Sequence, residues 1–116
     1  MYALKLARAA GLKVILSSSS DDKLQKIIRE QPFSNQPLLT INYARNPDWH
    51  EEVLSLTHGV GADLVIDMGG TGSLVKSMKC TRRGGVVSQV GYLSKQDLTQ
   101  FAELLPVLID RRIILR

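Results

Sequence analysis

Cysteine occurs once in the 116 residues, at Cys80. A lone thiol excludes an intrachain disulfide and fits a reducing compartment, so the fold must be held by packing. Aromatic residues are scarce as well: two Phe, one Trp and three Tyr. The core must therefore be aliphatic. No apolar run approaches the roughly 18 residues of a membrane-spanning helix. The opening stretch, MYALKLARAAG, reads as helix and carries no basic–apolar–small pattern of a signal peptide. These absences predict a soluble, cytoplasmic chain with no membrane partner.

Metal-ligand spacing is also lacking. His50 and His58 are eight residues apart and Cys80 lies far from both, which matches no zinc-ligand pattern and predicts no zinc site. Both histidines are read as surface or capping residues. No nucleophile–base–orienter set stands out, so no residue is assigned as catalytic. Asp63 reads as a turn residue and Asp67 as structural.

What is present is ordinary in amount. Apolar residues make up 44% and charged residues 22%, as expected for one globular domain spanning residues 1–116. The formal charge of +4 is a mild excess that points weakly to an anionic partner. Arg82, Arg83, Arg111, Arg112 and Arg116 are the candidate nucleic-acid contacts. No recognition helix or aromatic platform accompanies them, so they read as solvated surface and no nucleic acid is expected.

Along the chain, helices and strands alternate. Residues 1–10 have helical spacing, and Gly11 stands at a C-cap position. Residues 13–17 form a short apolar strand. Ser19 or Ser20 caps a helix with Asp21 and Asp22 in its first turn, Leu24, Ile27 and Ile28 as its buried stripe, and Pro32 as its end. Residues 31–37 read as a polar loop and 38–42 as a second strand. Asn46-Pro47-Asp48 starts a helix whose apolar contacts are Trp49, Val53, Leu54 and Leu56, ending at Gly59. Residues 64–68 read as strand. Gly69-Gly70-Thr71-Gly72 is a tight turn into a helix carrying Leu74, Val75 and Met78. Arg83-Gly84-Gly85 turns the chain into a strand over residues 86–90. Residues 97–110 are helical in pattern, with Pro106 set to kink or split them, and residues 112–115 begin a fifth strand.

Strict alternation predicts an α/β fold with a parallel sheet and helices on both faces. Ligands in such folds bind beyond the carboxyl ends of the strands. Those ends gather Ser17-Ser18, Asn42-Tyr43, Met68-Gly69-Gly70 and Val90-Gly91-Tyr92.

The segments KLARAAGLKVILSSSSDDKL, INYARNPDWHEEVLSLTHGVGADLVIDMGGTGSL and RRGGVVSQVGYLS, taken in order, resemble the nucleotide-binding domain of the medium-chain dehydrogenase/reductase family. The similarity is to its alcohol-dehydrogenase-like and quinone-reductase-like branches. It implies a Rossmann-like, doubly wound parallel sheet. It also implies hydride transfer between NAD(P)H and a small alcohol, carbonyl or enone. In NAD-preferring folds an acid at the end of the second strand holds the adenosine ribose. Ser18 occupies that position, and a serine hydroxyl can donate to a 2′-phosphate. Lys23 matches a lysine placed at the ribose or its phosphate in family members. Tyr43 matches a tyrosine that contacts the 2′-phosphate in NADP-dependent relatives. The resemblance therefore implies NADP(H) in preference to NAD(H). Met68, Gly69 and Gly70 correspond to the strand end beside the adenosine and central riboses. Val90, Gly91 and Tyr92 correspond to the segment that meets the nicotinamide carboxamide. Each of these positions also has a plainer reading as a cap, a strand end or a turn.

Departures from the family pattern shape the expectation. No GxGxxG turn is present to seat a pyrophosphate on a helix N-terminus. The Rossmann sheet is thus expected to be incomplete, without its first strand and glycine-rich loop. Nothing in the chain resembles the preceding catalytic domain. The loop over 31–37 is several residues longer than usual, and Arg83 stands where proline is common. The expected role is a cofactor-binding fragment that does not turn over substrate alone. The alternative is a non-catalytic remnant that binds nucleotide weakly or pairs through exposed strand edges, with itself or another chain.

Overall fold

The computed structural model describes residues 2–30, 38–91, 99 and 101–116. The chain divides into two compact units, Met1–Trp49 and His50–Arg116.

The first unit contains α1 (Tyr2–Ala9), β1 (Val14–Ser18), α2 (Asp21–Glu30) and β2 (Leu38–Asn42). Helix α1 closes as its spacing predicts: the Gly11 and Leu12 N–H groups donate to the Arg8 and Ala7 carbonyls, both at 3.0 Å, in a Schellman arrangement. Strands β1 and β2 pair in parallel, from Val14 opposite Leu38 to Ser18 opposite Asn42. Among the described residues of this unit, Leu4, Leu24 and Ile41 are the buried apolar side chains. Strand β1 lies one residue later than expected, so Ser18 is inside it. Ile28, assigned to the buried stripe of α2, is instead exposed. Leu24 is the buried residue of α2, and Ile27 is half-buried. The expected loop over 31–37 and its Pro32 stop lie outside the described residues.

Helix α3 (Trp49–Leu56) begins three residues after Asn46, the expected cap. The Asn46 side-chain oxygen accepts the Asp48 N–H at 3.1 Å, closing a turn across Pro47 before the helix starts. Val53 is its buried residue, whereas Leu56 is exposed.

The second unit continues with β3 (Ala62–Asp67), α4 (Thr71–Lys79), β4 (Thr81–Gln89), α5 (Phe101–Arg111) and β5 (Ile114–Leu115). The strands pair in parallel in the order β3-β4-β5. The α/β class with parallel, Rossmann-like sheets is thus as expected. Strand β3 begins two residues earlier than expected and ends before Met68, and other details differ too. Helix α4 takes in Thr71 and Gly72, so the tight turn is Gly69-Gly70 alone. Strand β4 begins at Thr81, and Arg83-Gly84-Gly85 is an irregularity within it rather than a turn before it. The pairing jumps from Ala62 opposite Thr81 to Leu64 opposite Val86, and Gly84 absorbs the extra residues at φ 75°, a conformation that costs glycine little. Finally, Pro106 lies inside α5 without splitting it. Its ring removes one helical hydrogen bond, but Leu104, Val107 and Leu108 around it pack on the core.

That core joins Leu74, Val75 and Met78 of α4 to Val87 of β4 and Ile113. Met78 and Val87 are both 0% exposed. No helix among the described residues is long and apolar enough to cross a membrane. Met78→Ala should leave a void that neither the sheet nor α5 can fill. The expected cost is about 2–5 kcal/mol, the range for large-to-small core substitutions, read by chemical denaturation.

Candidate functional site

Parallel pairing sends the carboxyl ends of neighbouring strands to the same edge. In the first unit that edge is built by hydroxyls and one amide. The Ser18 Oγ accepts the Ser20 N–H at 3.2 Å, and the Ser20 Oγ accepts the Lys23 N–H at 3.4 Å. Ser20 is thus the N-cap of α2, one of the two serines expected there. Tyr43 is joined to the same edge through its N–H, which donates to the Ser18 carbonyl at 3.2 Å. Its side chain is exposed, as is that of Lys23.

Sequence reasoning overlooked the group that binds this edge together. Asn42 lies opposite Ser18. Its Oδ1 accepts the Ala44 and Arg45 N–H groups at 2.9 and 3.3 Å, and its Nδ2 donates to Asp21 Oδ1 at 2.9 Å. The other Asp21 oxygen is ion-paired with Arg45. The only local signal was an asparagine ending an apolar strand. Its partner lies 21 positions earlier in the chain.

In the second unit the edge is organised by Asp67, buried at 5% exposure. Its Oδ1 accepts the Gly69 N–H at 2.7 Å and the Ser73 Oγ–H at 2.8 Å. Its Oδ2 accepts the Ser77 Oγ–H at 2.6 Å. Ser73 and Ser77 sit four apart on one face of α4, so both reach back to the strand end. A carboxylate so engaged is a fixed brace rather than an acid/base group, in keeping with the structural reading. Asp63, by contrast, is not a turn residue: it lies in β3 and pairs with Arg82.

The brace shapes the turn that follows. Gly70 caps α4 at φ 95° and ψ −152°, which a residue with Cβ rarely adopts. A Cβ on Gly69 would strike the Ser73 hydroxyl. Met68 is exposed, and the Val90 N–H donates to the Asp67 carbonyl at 2.8 Å, which ties the ends of β3 and β4 together. Met68, Gly69, Gly70, Val90 and Gly91 therefore gather at one edge. Tyr92 lies outside the described residues.

Beside Val90 and Gly91 is an open pocket of about 420 Å³, lined by Leu74, Gln89, Val90, Gly91, Leu115 and Arg116. The Gln89 Nε2 donates to the Gly91 carbonyl at 2.6 Å. Its Oε1 is buried without a hydrogen-bond partner. Gln89 was passed over because its position within an apolar strand gave no hint of a pocket.

The residues do not fit a zinc centre. Among the described residues no three His, Cys, Asp or Glu side chains come together. Cys80 is buried, and desolvation pushes its thiol from an ordinary 9.0 up to about 12, which keeps it from the thiolate form that binds metal.

The turn glycines after β3 fit the close approach of a dinucleotide. The zinc-binding dehydrogenase family profile matches residues 1–115. A zinc-type alcohol dehydrogenase-like protein of Schizosaccharomyces pombe is 36% identical over 100 residues, covering 84% of this chain and 27% of that protein. A solved NAD-dependent alcohol dehydrogenase superposes with a TM-score of 0.77 and 32% identity, over 97% of this chain and 30% of its own. The Escherichia coli quinone oxidoreductase, solved with NADPH, shares the fold with a TM-score of 0.71 and 22% identity, over 98% of this chain and 32% of its own. The chain belongs to the zinc-binding dehydrogenase family, among the medium-chain dehydrogenases, and corresponds to their C-terminal nucleotide-binding domain. It spans about a third or less of the length of these relatives.

Burial of Cys80 yields a prediction with a definite sign. The folded thiol titrates above the unfolded one, so its contribution to stability is complete below about pH 9 and is lost as pH rises towards 12. Denaturation midpoints should fall across that window, and Cys80→Ala should flatten the fall. A thiol reagent at pH 8 should label Cys80 only after denaturation.

Proposed function

We propose that this chain binds NADP(H) in preference to NAD(H), as the cofactor-binding part of an oxidoreductase acting on a small alcohol, carbonyl or enone. The observation that carries the reading is the edge at Ser18. There the strand ends in a capping hydroxyl, its neighbour Tyr43 is tied to the same carbonyl, and Lys23 stands exposed in the first turn of α2. The Ser18 Oγ takes the Ser20 N–H as acceptor and keeps its own proton to donate. A 2′-phosphate there would meet a hydroxyl donor, an ammonium and a phenol.

The second unit has an edge of its own that suits a nucleotide. Gly69 and Gly70 let the backbone approach a ribose closely, held rigid from behind by Asp67. Val90 and Gly91 border the pocket, where their backbone could meet a carboxamide. When bound, the nicotinamide supplies the hydride chemistry. The chain's own groups bind and orient it.

Titration calorimetry of the intact protein with NADPH and with NADH tests the reading. Binding should favour NADPH, and Lys23→Ala should weaken NADPH by about tenfold, in line with the loss of one charge-assisted contact, while affecting NADH less. Equal losses for the two cofactors would remove the 2′-phosphate role.

A further inference from the structure

The Ser18 edge carries an acid as well as its hydroxyls, and the structure shows why that acid is not available to a ribose. Asp21 opens α2 three residues after Ser18. A free carboxylate there would accept a 2′-hydroxyl and repel a 2′-phosphate. Both of its oxygens are already engaged, Oδ1 by Asn42 Nδ2 at 2.9 Å and Oδ2 by Arg45. Arg45 is in turn set in place by Asn42, whose Oδ1 accepts the Ala44 and Arg45 N–H groups. The Arg45 side chain is 77% exposed, so most of its donor fork faces solvent beside a carboxylate it neutralises. A guanidinium has five donors in one plane and can serve a carboxylate and a phosphate together.

Resting on the reading that the adenosine ribose lies at Ser18, we propose that Asn42, Asp21 and Arg45 set the choice between a 2′-phosphate and a 2′-hydroxyl. Arg45 contacts the phosphate and at the same time masks Asp21. Asn42 holds the pair at the strand end. Removing Arg45 then acts twice against NADPH, by withdrawing a cation and by releasing an anion. The released Asp21 becomes an acceptor for the 2′-hydroxyl of NADH.

This double action separates a masking arginine from an ordinary phosphate contact. NADPH and NADH affinities are measured by calorimetry on the intact protein at low ionic strength, where exposed charges are least screened. The proteins compared are wild type, Lys23→Ala, Arg45→Ala, Arg45→Gln, Arg45→Lys and the double variant Asp21→Asn/Arg45→Ala, with thermal melts confirming the fold. The Ala and Gln variants should weaken NADPH by about tenfold or more, the size of a lost charge-assisted contact plus a new repulsion, with NADH unchanged or tighter. Arg45→Lys should keep the NADPH preference. Adding Asp21→Asn should restore part of the NADPH affinity, a coupling that independent contacts lack. An unchanged NADPH-to-NADH ratio in both Arg45→Ala and Arg45→Gln would overturn the proposal. So would a loss that Asp21→Asn does not relieve. If Lys23→Ala still weakened NADPH more than NADH in either case, the NADP(H) reading itself would stand. Failure of the wild type to bind either dinucleotide would overturn both.

Discussion

Parallel strand pairing is the constraint on which the rest depends. In each unit it sends every strand's carboxyl end to one edge and returns the chain by a helix. The edge therefore collects strand ends and helix starts together, with their unpaired N–H groups and small turn residues. In the first unit the result is the Ser18–Ser20–Lys23 ladder beside Asn42 and Tyr43. In the second it is the Asp67–Gly69–Gly70 turn beside Val90 and Gly91. Neither edge needs a catalytic side chain to be a binding surface, because the backbone supplies much of the shape.

The two edges are stiffened by the same device, a side chain at a strand end that satisfies several donors. Asn42 holds the turn after β2, and Asp67 holds the turn after β3. The difference lies in burial. Asp67 is enclosed and its oxygens face the protein's own donors, so it acts only on shape. Around Asn42 the partners Asp21 and Arg45 remain open to solvent, where their charges bear on whatever approaches.

Much of this was legible in the sequence. The bounds of β2 coincide with those expected because an apolar run ends cleanly at Asn42. The cap of α2 was narrowed to two serines. Strict alternation was enough for the parallel α/β class, and three quoted segments were enough for the family. What escaped were features fixed by distant partners. Arg83-Gly84-Gly85 has the composition of a turn, but pairing with β3 draws it into β4 as an irregularity. Pro106 has the local power to break a helix, yet packing of Leu104, Val107 and Leu108 on the core keeps α5 whole. Arg45 reads as a surface arginine until Asp21, far back in the chain, is seen beside it. The pocket beside Gln89 and Val90 is made by strands and chain end brought together in space, which no spacing encodes.

The central claim is that the cofactor lies along the carboxyl ends of the strands. Hydrogen–deuterium exchange of the intact protein, with and without NADPH, tests it directly. The account predicts slowed exchange at residues 18–23, 42–45, 68–70 and 89–91, with little change at residues 11–13, 59–61 and 82–84 at the opposite ends of the strands. Protection confined to those opposite ends, or none at the carboxyl ends despite bound NADPH, would contradict it.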